Sequence, residues 1–92
     1  MFSQLKMPGE VAQEIGAREK ARRKQKKLTQ EQLSARAGIS LASLKRFEQT
    51  GEISFVSLLK IAAVLDELDV FDSLFVRRKY SSIQEVIDEW DS

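Results

Sequence analysis

The chain has 92 residues, 42% hydrophobic and 32% charged, with four glycines, one proline and neither cysteine nor histidine. That length predicts one helix-rich domain with a thin core, and the missing residue types exclude zinc fingers, thiol chemistry, disulfides and any catalysis that relies on imidazole. The formal net charge of +1 hides a division: residues 1–47 carry 11 Lys/Arg and 4 Asp/Glu, residues 48–92 carry 4 and 10, so one half is suited to an anionic partner.

At the amino end, Met1 to Glu10 lack the cationic-then-apolar pattern of an export signal. No apolar stretch reaches the ~20 residues a membrane helix needs, so the expectation is a soluble, cytoplasmic protein with no membrane contact. Pro8 suits the start of a helix, and the strong helix formers after it predict helix 1 over residues 10–26. Val11, Ile15, Arg18/Glu19, Arg22 and Lys26 share one side of it, with the apolar anchors near its start. The cationic run Arg18, Lys20, Arg22, Arg23, Lys24, Lys26 and Lys27 is broken by a single acid, Glu19. It reads either as a solubilising face or as a support for phosphates.

Thr29 followed three residues later by Gln32 forms a capping box, which predicts helix 2 over residues 30–37. Gly38 stands where a helix C-cap needs a positive φ, and Ser40 is a fresh N-cap, leaving two residues for the turn. That is a helix-turn-helix joint. In helix 3, Leu44 and Phe47 face inward, Leu41, Ala42, Lys45 and Arg46 point elsewhere, and Gly51 ends the helix. Residues 52–57 read as a loop. Leu58, Leu59, Ile61, Ala62 and Leu65 predict an apolar helix 4 that closes a core of Leu44, Phe47, Leu58, Ile61 and Leu65. A short helix 5 is predicted over residues 70–75.

After the basic hinge Arg77, Arg78 and Lys79, Ser81 or Ser82 can cap a segment that places Ile83, Val86, Ile87 and Trp90 on one stripe, with acids opposite. Packing on its own domain, a dimer contact and capture by a partner protein all remain open for it. Asp66, Glu67, Asp69 and Asp72 read as a solvated helix end rather than an acid–base or metal cluster, and no Gly-rich phosphate loop occurs. No catalytic residue, metal or cofactor is expected.

The run LTQEQLSARAGISLASLKRFE, starting at Leu28, resembles the helix-turn-helix of the phage repressor and Cro family, the Xre-like regulators. The resemblance rests on Thr29-Gln30, Leu33, Ala37-Gly38-Ile39-Ser40, Leu44 and Phe47-Glu48, followed by Gly51 and the apolar fourth helix. Ser34 stands where the family usually has alanine. The resemblance implies an all-α, five-helix, lambda-repressor-like domain over residues 8–76, followed by a short amphipathic tail over 77–92. It also implies that helix 3 lies in the major groove with Leu41, Ala42, Lys45 and Arg46 at base edges. Arg46, the first choice, or Lys45 then donates to guanine O6 and N7, while Leu41 and Ala42 offer apolar contact to a thymine methyl.

Gln30, Ser40 and Ser43 are implied phosphate contacts, made through side chains and unpaired N–H groups. Arg23 and Glu48 match a structural ion pair of the family, with Arg23 a further phosphate candidate. The partners implied are an inverted-repeat duplex operator and a second copy of the chain. The stretch SLKRFEQTGEISFVSLLKIAAVLDELDVFDSLF is also similar to HipB-like antitoxins, which implies a HipA-type kinase toxin as partner and Ile83, Val86, Ile87 and Trp90 as the residues presented to it. A stand-alone or phage-type regulator without a toxin is the alternative.

Overall fold

The computed structural model describes residues 6–77, which form α1 (Pro8–Gln25), α2 (Gln30–Ala37), α3 (Leu41–Thr50), α4 (Phe55–Val64) and α5 (Asp69–Asp72), with no strand among them. Helix α1 starts at Pro8, whose missing N–H costs no intrahelical bond at the first position, and the Glu10 carboxylate accepts the Met7 N–H at 3.3 Å. It ends at Gln25, and Lys27, with φ of 58°, turns the chain so that the Leu28 N–H reaches the Arg23 carbonyl at 3.2 Å.

The side of α1 that faces the protein differs from the expected one. Gly16, Glu19 and Arg23 are buried and Ile15 half-buried, whereas Val11 is exposed. The cause is a close approach of backbones. A Cβ on Gly16 would overlap the Phe47 carbonyl oxygen, and one on Gly51 would overlap the Ala12 carbonyl. Glycine at these two positions lets α1 lie directly on both ends of the last turns of α3, and Gly51 also needs its positive φ of 83°.

Helices α2, α3 and α4 enclose the apolar core of Leu33, Ala37, Leu44, Phe47, Ile61 and Leu65. Burying a leucine, isoleucine or phenylalanine contributes about 1.5–3 kcal/mol each, so these few side chains supply much of the stability of a small domain. Leu58, expected in the core, lies at its edge.

Two expected boundaries move. The segment read as a loop over residues 52–57 is helical from Phe55, because Ser54 accepts the Ser57 N–H at 3.2 Å and caps α4 four residues before the apolar pattern begins at Leu58. The fifth helix is a single turn at Asp69–Asp72 rather than a segment running to residue 75. The stripe of Ile83, Val86, Ile87 and Trp90 lies outside the described residues.

Candidate DNA interface

The joint between α2 and α3 is built from side-chain and backbone caps. The Thr29 hydroxyl accepts the Gln32 N–H at 3.0 Å while the Gln32 side chain accepts the Thr29 N–H at 2.9 Å, so two unpaired donors at the start of α2 are satisfied reciprocally. Gly38 takes the left-handed conformation at φ 72°, and the Ile39 N–H then reaches back to the Ser34 carbonyl at 3.0 Å. A Cβ at Gly38 would meet nothing, so the backbone angle, not space, calls for glycine there. Ser40 restarts the chain as a helix by accepting the Ser43 N–H at 3.0 Å. Ser34 is buried and donates to the Glu31 carbonyl at 3.1 Å, so the hydroxyl that replaces the expected alanine is satisfied within its own helix.

A buried polar cluster fixes α3 against α1 and α2. Arg23 donates from Nε and Nη2 to the two Glu48 oxygens at 2.8 and 2.9 Å and from Nη1 to the Leu28 carbonyl at 2.8 Å. The Gln30 amide donates to Glu48 at 2.9 Å. Side-chain exposures of 8% for Arg23 and 3% for Glu48 show that the fork is sealed. Arg23, expected also as a phosphate candidate, has its three donor nitrogens engaged inside the protein. Burial alone would raise the Glu48 carboxyl, but hydrogen bonds from Arg23 and Gln30 hold it below the usual carboxylate range. Glu19 shares this pocket, and neither of its oxygens has a hydrogen-bond partner there. Burial first, and the neighbouring Glu48 second, push its carboxyl up to about 9. At neutral pH Glu19 is therefore a neutral acid.

The opposite side of α3 faces solvent. Ala42, Ser43, Lys45 and Arg46 are exposed and Leu41 is half-buried, so the four expected base-reading positions share an outward surface, Leu41 at its margin. Ser40 lies beside them, and its hydroxyl also donates to Ser43 Oγ at 2.8 Å. Arg46 is held by Glu52, Nη2 to Oε1 at 2.6 Å. Of the cationic run on α1, Arg23 is buried, Arg18 pairs with Glu14 at 3.2 Å and Arg22 lies 3.7 Å from Glu67, while Lys20, Lys24 and Lys27 are exposed.

A family model described as helix-turn-helix (HTH_3) matches residues 20–71, from the middle of α1 through α5. The chain belongs to that family. No curated protein gives a match to it. As a helix-turn-helix protein of the Xre/lambda-repressor type, it has the all-α lambda-repressor-like fold and is a DNA-binding transcription regulator. No described helix is long and apolar enough to cross a membrane.

Sequence reasoning missed two parts of this helix-turn-helix unit. Glu19 completes the stripe Ala12, Gly16, Glu19, Arg23, whose spacing of four, three and four marks a helix face with two small residues, and that spacing was the available signal. Glu52 follows the Gly51 cap directly, at a point where a left-handed residue turns the chain back beside α3.

Proposed function

We propose that the chain is a sequence-specific repressor that binds an inverted-repeat operator as a homodimer, one α3 in each of two major-groove half-sites about 34 Å or a multiple of it apart. The observation that carries this reading is the outward surface of Ala42, Lys45 and Arg46 on a helix clamped from behind by the Arg23–Glu48–Gln30 cluster. Arg46 is the principal base reader through guanine O6 and N7. Lys45 assists it, and Leu41 and Ala42 meet apolar base edges. Ser40 and Ser43 bind phosphate near the start of α3, and Gln30 does so with the amide hydrogen that Glu48 leaves over. The exposed apolar side chains Phe55, Val56, Val70, Leu74, Phe75 and Val76 around α4 and α5 support pairing with a second copy.

Selection from a randomised duplex library, followed by footprinting and titration, tests the reading. Affinity should fall steeply with salt, because phosphate neutralisation supplies much of it. Arg46→Ala should cost about 1–3 kcal/mol on the selected duplex and relax the preference at one guanine. An unchanged preference and affinity would remove Arg46 from the role.

The finer reading, that this repressor is the antitoxin of a HipA-type kinase toxin and autoregulates its operon, is supported by the resemblance of residues 43–75 to HipB-like regulators. In it, residues 8–76 bind DNA and the tail 77–92 meets the kinase through Ile83, Val86, Ile87 and Trp90. Co-purification with the kinase encoded by a neighbouring gene, using the full chain and one ending at Lys79, is the test. Loss of capture on truncation supports the tail as the contact. Absence of such a kinase leaves the stand-alone or phage-type regulator.

A further inference from the structure

Arg46 and Glu52 form an exposed pair, with side chains 66% and 64% accessible, and exposed pairs of this kind add little to folding. The carboxylate is nevertheless held in place by more than its partner. The Thr50 hydroxyl donates to the Arg46 carbonyl at 2.7 Å and accepts the Glu52 N–H at 3.2 Å, so the backbone at Glu52 is stitched to the turn of helix that carries Arg46. Between them Gly51 sits in the left-handed conformation with its N–H on the Phe47 carbonyl at 2.8 Å and its Cα against α1. Glu52 is thus presented to Arg46 by a rigid return of the chain.

We propose that Glu52 is a positioning residue that sets the base specificity of this regulator by orienting the Arg46 guanidinium, a role that rests on the reading of Arg46 as the base contact. Arginine has five N–H donors in a planar fork. Taking one Nη2 hydrogen fixes the plane of the group and leaves other N–H groups for guanine O6 and N7, so less freedom is lost when the base contact forms. The same carboxylate repels phosphate, so Arg46 is discouraged from settling on the DNA backbone, where it would bind every sequence alike. Glu52 thereby favours the guanine-bound arrangement and penalises the non-specific one.

The test compares the full chain with Glu52→Gln, Arg46→Ala and the double variant on a duplex selected from a randomised library and on a scrambled duplex at one salt concentration. Glu52→Gln should bind the scrambled duplex more tightly and lower the ratio of selected to scrambled affinity ~10-fold, with no further drop in the Arg46→Ala background. Both groups are exposed, so the thermal melt of Glu52→Gln should match the parent and exclude unfolding as the cause. Equal changes on both duplexes, or the same drop without Arg46, would show a plain charge effect and overturn the proposal. If Arg46→Ala lowers the ratio and Glu52→Gln does not, the role of Glu52 falls and that of Arg46 stands. If Arg46→Ala leaves the ratio unchanged, the base-contact reading falls and this one with it.

Discussion

Helix α3 is gripped from two sides by different chemistry. Toward α2 and α4 it presents Leu44 and Phe47 to Leu33, Ile61 and Leu65, all of them buried. Toward α1 it presents a carbonyl and a glycine, with Glu48 reaching into a cluster of Arg23, Gln30 and Glu19. Apolar packing is non-directional and stabilises in proportion to area. A forked arginine–carboxylate pair has one alignment only, and its desolvation offsets most of its attraction. The apolar side thus supplies stability, while the ionic side fixes the rotation and height of α3 and ties all three helices of the reading unit to one residue, Glu48.

The largest expected effect comes from breaking the ionic side at one partner. Glu48→Ala leaves Arg23 charged, buried and unpaired, which should cost about 3–5 kcal/mol in chemical denaturation. Replacing both partners, Arg23→Met with Glu48→Leu, should return most of that loss. If the double variant stays as unstable as the single one, the pair is itself a net source of stability and the contrast between the two sides fails. On the apolar side, Leu33→Ala should cost about 2–5 kcal/mol through the cavity it leaves. Leu33→Met, which conserves volume, should cost less than about 1.5 kcal/mol by the same measurement. A larger loss from methionine would mean that this side is as shape-specific as the ionic one.

The contrast also explains what was legible from residue order. Thr29 with Gln32, Gly38, Ser40 and Gly51 act through local geometry, so the start, turn and end of the helix-turn-helix follow from their identities alone. The outward placement of Ala42, Lys45 and Arg46 follows from the same periodicity that puts Leu44 and Phe47 inside. Lys27 and Asp66 reverse the chain after α1 and α4 with φ of 58° and 66°, but neither residue type announces a left-handed turn as glycine does. The start of α4 was hidden because Phe55 and Val56 are exposed and break the inward pattern. The buried face of α1 and the hold of Glu52 on Arg46 depend on contacts between segments distant in sequence or turned back by a cap, and the run of charges on α1 gives no sign that Glu19 and Arg23 are the ones sealed inside.

The smallest effect in mildly acidic solution, and the one most particular to the ionic side, belongs to Glu19. Its carboxyl is raised from 4.5 to about 9 in the folded chain, so between those values the native state holds a proton that the unfolded chain has released. The stability this group contributes is fully present below pH 4.5 and is lost as pH rises through the folded value near 9. Glu48 acts in the opposite sense: its folded pKa is depressed, so its contribution is present above the unfolded value and lost as pH falls through the folded one. Glu19→Gln keeps the shape but cannot ionise. The variant and the parent should melt alike near pH 4.5, and the variant should be progressively the more stable of the two from there to pH 9, a difference in which the other titrating groups cancel. Parallel melting curves across that range would mean that Glu19 is ionised in the folded protein, and that the pocket behind α3 holds two negative carboxylates rather than one.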